Sequence, residues 1–387
     1  MKRIAVVTTT RAEYGLLNPV IKELGVYENS DFKTDLIVSG THLYDSFGKT
    51  INEITADGVR IDYEIKTPVK SETAVDISGN MAEYLVKFTE LFNKEKFDAV
   101  LLLGDRYETL AIAIAAINTI IPIFHMCGGD VSEGAIDDCI RHSITKMSYL
   151  HFPTNEDSRK RVIQLGEAPD RVFNFGSTSI DNIKNIELLS KEEVMASVNC
   201  TNESFAVCTY HPVTLENNSL EYLMDSFFSA ISAHPEIDFI VTKSNADQGG
   251  SVINALLEEK EKEISNLHVY SSLGVKRYLS LVKYSKFVLG NSSSGIIEVP
   301  ALNRPTVNIG DRQKGRLRSE SVIDCKEDAD SIIEAINIAL SNEMNAVCKN
   351  VVSPYGDGNA AKQIARKCYE TVNSEIDLKK KFYNISN

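Results

Sequence analysis

Short runs of apolar, mostly β-branched residues alternate along the whole chain with longer amphipathic stretches, and this alternation limits the possible folds. The runs Ile4–Val7 and Ala99–Leu103 contain no polar residue. Nearly continuous apolar strands followed by helices are typical of parallel strands that are buried on both faces. The pattern therefore predicts an α/β fold with doubly wound parallel sheets. The predicted strands are Ile4–Val7, Thr34–Val38, Ala99–Leu103, Ile121–Phe124, Leu150–Phe152, Phe205–Thr209, Phe239–Val241, Leu267–Tyr270, Phe287–Leu289 and Thr306–Ile309.

The length of the chain predicts two domains, because 387 residues exceed what one ordinary core holds. The alternation itself divides into two halves of similar size. Between them, Gly176–Ser179 is a run of small polar residues that favours a hinge. A last helix is predicted from Ala360 to about Val372, after the turn residues Pro354–Gly358.

The charge balance limits the partners of the protein. There are 41 Lys and Arg residues against 54 Asp and Glu residues, which gives a formal net charge of −13. Nucleic acids and anionic membrane surfaces are bound through clustered Lys and Arg, so we expect neither as a partner. No segment approaches the 18 apolar residues that a membrane-spanning helix needs, and the first apolar run is too short for a signal peptide.

The cysteines indicate a reducing compartment. Seven cysteines, an odd number without a CxxC pair, fit reduced thiols better than disulfides or a zinc site. We therefore predict a cytoplasmic protein without a metal site.

Polar residues follow five of the predicted strands at the point where each strand ends. Ligands of open α/β sheets bind beyond the carboxyl ends of the strands, so these residues are the candidates for chemistry. The five segments are Thr8–Gly15, Gly104–Arg106, His125–Asp130, Tyr210–Thr214 and Gly290–Gly295.

The segment Gly290–Gly295 looks like a turn that leads from a strand into a helix over Ile296–Leu302. Backbone N–H groups, hydroxyls and the positive end of a helix favour phosphate at such a turn. Glu298 then lies about one turn into the helix, where it can reach ribose hydroxyls. An ordinary N-cap with a short loop is the alternative, and the segment is neither a Walker loop nor GxGxxG.

The most unusual segment is Gly128–His142, which is rich in acidic residues. If Ile136–Met147 is a helix, then Asp138, Arg141 and His142 share one face by their i+3 and i+4 spacing. The alternative is a solvated acidic helix N-terminus with basic residues toward the other end.

Two further features bear on an anionic ligand. A single histidine is more often structural than catalytic, but His211 lies between an apolar strand and Pro212, which favours an extended backbone. The loop Gly310–Arg318 has four cations in seven residues. In an acidic protein, such a local reversal of charge fits a nucleotide diphosphate.

The motifs in their order resemble those of the hydrolysing UDP-N-acetylglucosamine 2-epimerases, the bacterial enzymes that open sialic acid synthesis. They are also similar to the epimerase half of the human bifunctional epimerase/kinase. The resemblance covers nearly the whole chain. The motifs that carry it are Thr10–Tyr14, Gly104–Glu108, Ile136–Asp138, Ile140–Lys146, His211–Thr214, Gly290–Gly295 and Gly310–Gln313.

The resemblance implies a glycosyltransferase-B-like fold with two Rossmann-like domains around a central cleft. The N-terminal domain would cover residues 1–175 and be completed by the C-terminal helix at about 360–387. Residues 176–359 would form the UDP-binding domain. The implied reaction needs neither metal nor cofactor: UDP-GlcNAc and water give N-acetylmannosamine and UDP through a glycal. The family also implies a homodimer or homotetramer.

The resemblance assigns acid and base roles to carboxylates, because removal of the weakly acidic C2 proton needs a positioned base. The carboxylates are Asp105, Asp130 and Asp138, with Asp137 behind them. His211 would act on the leaving phosphate as a donor or an acid.

The same resemblance assigns residues to the nucleotide and the substrate. Arg11, Ser292 and Ser293 would hold phosphate, and Glu298 would hold the ribose. The other residues assigned to the nucleotide or the substrate are Arg106, Arg141 and Arg312.

Two departures from the family pattern limit the assignment of the sugar. Cys127 stands where some relatives have Glu, so no carboxylate role passes to that position. Asp130 stands where relatives often have Glu, which shortens its reach. Some bacterial members act on UDP-2,4-diacetamido-2,4,6-trideoxyglucose toward legionaminic acid, and this substrate is the first alternative. A non-hydrolysing 2-epimerase, a glycosyltransferase of the same fold and a nucleotide-sensing binding protein are the others.

Overall fold

The computed structural model describes residues 1–132, 136–198, 200, 202–212, 219–244 and 250–385. The chain forms two compact units. The first contains Met1–Val131, Ile136–Asn182 and the chain from Tyr355 onward, and the second contains Ile183–Pro354 together with Ser132.

The strands are β1 (Lys2–Thr8), β2 (Phe32–Ser39), β3 (Tyr63–Ile65), β4 (Ala99–Leu103), β5 (Ile123–Met126), β6 (Leu150–Phe152), β7 (Phe205–Thr209), β8 (Asp238–Thr242), β9 (Leu267–Tyr270), β10 (Val288–Gly290), β11 (Thr306–Ile309) and β12 (Val322–Cys325).

The α-helices are α1 (Arg11–Gly25), α2 (Ile51–Ala56), α3 (Ala74–Lys94), α4 (Tyr107–Asn118), α5 (Ile136–Met147), α6 (Glu156–Gln164), α7 (Thr178–Asn185), α8 (Lys191–Ser197), α9 (Leu220–Ser232), α10 (Gly250–Lys260), α11 (Gly274–Tyr284), α12 (Ser293–Ile297), α13 (Ala329–Ala339), α14 (Asn342–Asn350) and α15 (Ala360–Val372).

Each unit contains one six-stranded parallel sheet. The order in the first is β3-β2-β1-β4-β5-β6, and in the second it is β12-β11-β10-β7-β8-β9. Both orders reverse direction at a switch point, between β1 and β4 in the first sheet and between β7 and β10 in the second. This is the doubly wound arrangement that places ligands at the carboxyl ends of the central strands. The predicted fold class is confirmed.

The first strand shows why the apolar runs are continuous. Ile4 and Val6 lie in the core layer that contains Leu17 of α1, whereas Ala5 and Val7 lie in the layer that contains Phe88 of α3. Successive side chains of a strand point to opposite faces, so both faces of β1 are buried. Each fully buried Val or Ile contributes about 1.5–3 kcal/mol.

All ten predicted strands form, with ends that differ by at most two residues. Two strands were not predicted, β3 and β12. Both lie at sheet edges and include partly exposed polar residues, so they lack a continuous apolar run. The predicted helices Ile136–Met147 and Ala360–Val372 are confirmed.

Helix α15 packs in the first unit, although it is the last helix in the chain. Ile364 and Cys368 are buried in the same core cluster as Leu17 of α1. The carboxylate of Asp181 accepts from Ala360 N at 3.2 Å and Ala361 N at 2.9 Å. It therefore fills the role of an anion at the N-terminus of α15.

The segment predicted as a hinge also belongs to the first unit. Ser177 N donates to Tyr355 O at 2.7 Å. Gly176, with φ at +93°, lies so close to this backbone that a Cβ there would meet Tyr355 O at 2.6 Å. The hinge itself stays a prediction.

Over the residues that the structure describes, no helix is long and apolar enough to cross a membrane. All seven cysteines fall within these residues and carry free thiols.

Candidate active site

The centre of the candidate site in the first unit is the guanidinium of Arg141, whose side chain is 2% exposed. Arg141 Nε and Nη2 donate to Asp105 Oδ2 at 2.9 and 2.5 Å. Arg141 Nη1 donates to the backbone oxygen of Asp130 at 2.7 Å and to Asp138 Oδ1 at 3.3 Å. One buried cation therefore binds three of the four predicted acidic residues, Asp105 and Asp138 through their carboxylates and Asp130 through its backbone. We call Asp105, Asp130, Asp137 and Asp138 the acid cluster.

Helix α5 places two members of the cluster by its own periodicity. Asp138 contacts Arg141 at i+3 and His142 at i+4, where His142 Nε2 lies 3.5 Å from Asp138 Oδ2. The predicted common face is confirmed. Burial lowers the pKa of His142, against the charge of Asp138. Asp137 is exposed, whereas Asp138 is half-buried.

The carboxylate of Asp130 is fixed at the N-terminus of α6. Its Oδ1 accepts from Ser158 Oγ at 2.6 Å and is 3.5 Å from Asn155 Nδ2. Gly129 allows this approach, because a Cβ there would lie 2.3 Å from Ser158 O, and its φ is +86°. Only glycine adopts this backbone at low cost. The short side chain of Asp130 is therefore positioned by α6.

His125 joins the end of β4 to α5. Its Nε2 lies 2.8 Å from Gly104 O and donates to it, and its Nδ1 lies 3.3 Å from Thr145 Oγ1. Burial lowers the pKa of His125 to about 4, so the ring is neutral near pH 7. His125 thus holds the residue before Asp105 and the turn of α5 after Arg141.

Arg106 follows Asp105 and is bound by a neighbouring acid. Its Nε and Nη2 each lie 3.1 Å from a carboxylate oxygen of Glu108. Glu13 is buried nearby and accepts from Thr9 N at 2.6 Å and Thr9 Oγ1 at 2.8 Å. Burial raises the pKa of Glu13 to about 7, against the opposing charge of Arg106.

Neither Glu13 nor Glu108 was assigned a role from the sequence. The spacing of Thr10 and Glu13 at the start of α1 is that of a capping box, which the structure contains. That signal predicts the local bond but gives no reason to expect a buried carboxyl group near an arginine.

Arg11 pairs with Glu53 of helix α2. Its Nε donates to Glu53 Oε2 at 2.9 Å, and the side chains of Arg11 and Glu53 are 45% and 47% exposed. The assigned phosphate role of Arg11 stays a prediction.

In the second unit, Asn291 fixes the backbone of His211. His211 N donates to Asn291 Oδ1 at 2.7 Å, and Asn291 Nδ2 donates to His211 O at 2.8 Å. His211 Nδ1 lies 3.3 Å from Ser244 Oγ. The ends of β7 and β10 are thereby joined at the switch point. Val213 and Thr214, which belong to the same motif, lie outside the described residues.

The turn after β10 has the predicted form, but its helix starts earlier and is shorter. Ser292 is the N-cap of α12, and its side chain accepts from Ser294 N. The predicted helix Ile296–Leu302 is wrong in its bounds, because α12 ends at Ile297 and a separate 3₁₀ turn covers Pro300–Leu302. Ser293 is the first residue of α12.

Glu298 is the C-cap of α12 and is partly buried. Ser294 Oγ donates to Glu298 Oε2, and the Tyr278 hydroxyl donates to Ser294 Oγ at 2.9 Å. Burial raises the pKa of Glu298, and the bond from Ser294 opposes this. The carboxyl group is therefore held at one oxygen by a chain of two hydroxyls.

Arg312 and Gln313 turn from the basic loop toward the end of β10. Arg312 Nη1 and Gln313 Nε2 both donate to Asn291 O, at 3.0 and 2.9 Å. Asn291 therefore connects Arg312 with His211, two residues predicted to contact the same ligand.

Lys314 and Arg318 of the loop line a cavity of about 540 Å³ near the ends of β11 and β12. Lys314 lies 3.8 Å from Asp311, and Arg318 lies 2.8 Å from Asp324, all four lining that cavity. These acids compensate the loop's charge locally.

Each unit thus holds part of the predicted site. The first unit contains the acid cluster, with Arg106 adjacent, and the second contains His211, Arg312 and the turn before Glu298. Within the described parts of the chain, no group of three or more His, Cys, Asp or Glu residues is arranged to hold a metal ion.

Comparisons with known proteins point to one family. Residues 25–368 match a family model described as UDP-N-acetylglucosamine 2-epimerase. The chain is 38% identical over 386 residues to the polysialic acid biosynthesis protein P7 of Escherichia coli, covering 100% of this chain and 98% of the relative. It is 36% identical over 387 residues to the hydrolysing GDP/UDP-N,N'-diacetylbacillosamine 2-epimerase of Campylobacter jejuni, covering 99% of each.

Solved structures share the fold. The crystal structure of UDP-GlcNAc 2-epimerase from Neisseria meningitidis bound to UDP-GlcNAc matches with a TM-score of 0.81 at 20% identity, covering 96% of this chain and all of that one. The glycosyltransferase-B-like fold expected from the sequence is therefore confirmed.

Proposed function

Because the chain belongs to the UDP-N-acetylglucosamine 2-epimerase family, we propose that it hydrolyses UDP-GlcNAc to UDP and N-acetylmannosamine, with inversion at C2, for sialic acid biosynthesis. The chain is an enzyme of the hydrolysing UDP-sugar 2-epimerase type. What we propose beyond this is the sugar, the products and the residues that carry the reaction.

The observation that carries the proposal is the acid cluster at the carboxyl edge of the first sheet. The reaction starts when a base takes the C2 proton and the C1–O bond to UDP breaks, which leaves a glycal with a C1–C2 double bond. Water then adds its oxygen to C1, and an acid returns a proton to the opposite face of C2. Two proton transfers on opposite faces need at least two positioned acid/base groups.

The geometry around Arg141 supports this assignment. Asp105 and Asp138 approach one guanidinium from different chain segments, and Asp130 is fixed beside them by Ser158. A cation between carboxylates lowers the cost of bringing several acids together. We propose that these acids move the C2 protons, with Arg141 orienting them and Asp137 acting behind them.

The second unit would hold the UDP group. Ser292 and Ser293 stand at the N-terminus of α12, an arrangement that favours phosphate. Glu298 offers an acceptor for ribose hydroxyls. His211 and Arg312 are joined through Asn291, and we propose that they support the diphosphate as it leaves. Arg11 and Arg106 are proposed to contact the nucleotide from the first unit.

The test is incubation with UDP-GlcNAc alone in D₂O, followed by NMR. We expect free N-acetylmannosamine with deuterium at C2. Asp105→Asn, Asp130→Asn and Asp138→Asn should each lower turnover by at least about a hundredfold. Asp31→Asn, an exposed acid just before β2, is the matched control and should leave turnover unchanged.

Four results would contradict the proposal. Wild-type turnover in all three Asn variants would remove the acids from the mechanism. UDP-ManNAc as the product would indicate a non-hydrolysing epimerase. A reaction that starts only after a sugar acceptor is added would indicate a glycosyltransferase, and binding without turnover would indicate a sensing protein.

The second candidate substrate is UDP-2,4-diacetamido-2,4,6-trideoxyglucose. Support for it comes from the Campylobacter relative, which is named as a diacetylbacillosamine 2-epimerase. This relative is nearly as similar to the chain, at 36% identity, as the polysialic acid protein is at 38%. The two sugars differ at C4 and C6. A site that hydrogen-bonds a substrate hydroxyl rejects an analogue without it by about 10⁴-fold, so the ratio of kcat/KM for the two sugars decides between them.

A homodimer or homotetramer and a cytoplasmic location are also part of the proposal. Sedimentation velocity of the purified chain measures the first. Fractionation of the producing cells measures the second.

A further inference from the structure

The chain continues past α15 and lies along the first unit. We call residues 374–385 the C-terminal strap. Tyr383 N donates to Gly166 O at 2.8 Å. The ring of Phe382 lies directly over Gly166, where a Cβ would be 2.4 Å from the ring, and Lys146 Nζ lies 4.8 Å from the ring centroid. Backbone and side-chain contacts both seat the strap.

The strap carries Lys380 to the C-terminal end of α5. Lys380 Nζ donates to Lys146 O and to Ser148 O, each at 2.8 Å, and lies 2.7 Å from Glu167 Oε2. The last carbonyl groups of a helix have no partner within the helix, and a cation there is favoured by the helix dipole. Lys380 therefore supplies a C-terminal cap from 234 residues away.

The neighbouring carbonyl groups of α5 have donors from nearby. Ser148 Oγ donates to Ile144 O at 2.7 Å, and Ser148 N donates to Thr145 O at 3.1 Å. Lys146 O is the next carbonyl group, and its donor is Lys380. The C-terminal turn is complete only with the strap in place.

Glu167 anchors this cap inside the unit. Its carboxylate is fully buried and also accepts from Lys146 Nζ at 2.6 Å and lies 3.0 Å from His151 Nε2. Burial acts to raise the pKa of Glu167, but hydrogen bonds from His151, Lys146 and Lys380 outweigh it and lower the pKa to about 2. The carboxylate is charged at neutral pH, and the strap is tied to a fixed point.

The same helix carries Asp138 and Arg141 toward its other end. Arg141 lies five residues before Lys146, about 7.5 Å along the axis. A helix of this length moves as one body, so a shift at its last turn displaces Asp138 and Arg141 together. Misplacement of catalytic groups by about 1 Å can cost up to about a hundredfold in rate.

We propose that Lys380 is a positioning residue for the reaction, because it caps α5 and fixes the helix that carries Asp138 and Arg141. This inference rests on the proposed function for its effect on turnover. Its effect on the helix is independent of the substrate.

The test compares Lys380→Met with Lys379→Met in the full chain. Lys379 is the exposed neighbour in the same strap, so it is the matched control. For Lys380→Met we expect kcat to fall by about ten- to a hundredfold, with KM changed by less than about threefold. Lys380→Arg keeps the charge and the donors and should restore most of kcat. If Lys380→Met does not fold, Lys380→Gln carries the same comparison.

Amide hydrogen exchange of α5 is the second readout. Lys380→Met should speed exchange over residues 144–149 by at least about tenfold, whereas Lys379→Met should not. A kcat equal to that of Lys379→Met, or unchanged exchange in α5, overturns the inference. A wild-type chain without turnover of either UDP-sugar refutes the proposed function instead, and the exchange result still decides whether Lys380 holds α5.

Discussion

Replacement of Arg141 by Met is the perturbation for which the structure predicts the largest combined loss. The change keeps an apolar stem of similar reach but removes the guanidinium and its hydrogen bonds to Asp105, Asp130 and Asp138. Two carboxylates then face each other without their cation, and the Asp130 carbonyl group loses its donor. Arg141→Lys keeps the charge but not the planar fork, so it should recover only part of the loss.

The size of the effect follows from the burial of the three side chains. Breaking a buried ion pair by removing one partner costs about 3–5 kcal/mol. Arg141 is 2% exposed, but Asp105 and Asp138 are 29% and 33% exposed, so water compensates part of the charge. We therefore expect a loss of about 2–3 kcal/mol. For a domain of 150–250 residues this corresponds to a Tm lower by about 4–12 °C.

The assay is thermal unfolding followed by circular dichroism, with turnover measured well below the transition. Arg366→Met, which breaks an exposed pair with Glu370 on α15, is the control and should cost under about 0.5 kcal/mol. Turnover of Arg141→Met should fall by about a thousandfold. The reasoning fails if Arg141→Met melts within 1 °C of the Arg366→Met control (roughly the effect of an exposed pair), or if it keeps wild-type turnover.

Three further predictions concern the surroundings of the cluster. Glu167→Gln should destabilise the chain by about 3 kcal/mol at pH 7, because the folded pKa of about 2 lies below the ordinary 4.5. In urea unfolding, the difference in unfolding free energy between wild type and variant should shrink as the pH falls from about 5 toward 2, and a constant difference would contradict the prediction. Glu13→Gln should behave oppositely, since the folded pKa of about 7 lies above 4.5. The variant should match the stability of the wild type at pH 4 and exceed it by up to about 3 kcal/mol at pH 8, and equal stability at pH 8 would exclude a raised pKa for Glu13. Gly129→Ala should lower turnover and should lower stability by at least about 2 kcal/mol, because its Cβ would meet Ser158 O. The control is Gly79→Ala in α3, where a Cβ would meet open space, and it should raise stability by about 0.5–1 kcal/mol; a Gly129→Ala chain as stable as this control would show that α6 can move to make room.

The sequence predicts best where one physical signal dominates. Ala99–Leu103 is recognisable as a strand because both of its faces are buried, and its bounds are those observed. Strand β12 was not predicted because it lies at an edge, where only two partly buried apolar residues, Val322 and Ile323, precede the exposed Asp324. Edge strands need less apolar surface, so continuity of apolar residues does not mark them.

In the candidate site, too, the sequence predicts local features and misses contacts between distant residues. Periodicity alone places Asp138, Arg141 and His142 on one face of α5, and the structure agrees. The bond from Arg141 to Asp105 spans 36 residues and depends on the pairing of β4 with β5. No local pattern predicts it, and the same holds for the burial of Glu13.

Helix α5 is fixed by contacts from distant parts of the chain at three successive levels. Asp105 binds Arg141, His125 binds Thr145 one turn later, and Lys380 binds the last carbonyl groups. Each contact restrains a different turn of a short helix, so the position of the acids is set by all three together. Because one rigid element carries the effect of each contact, changes at His125 and Lys380 act on the same displacement of Arg141. The reactive geometry is therefore a property of how α5 is held and not only of the acids that it carries.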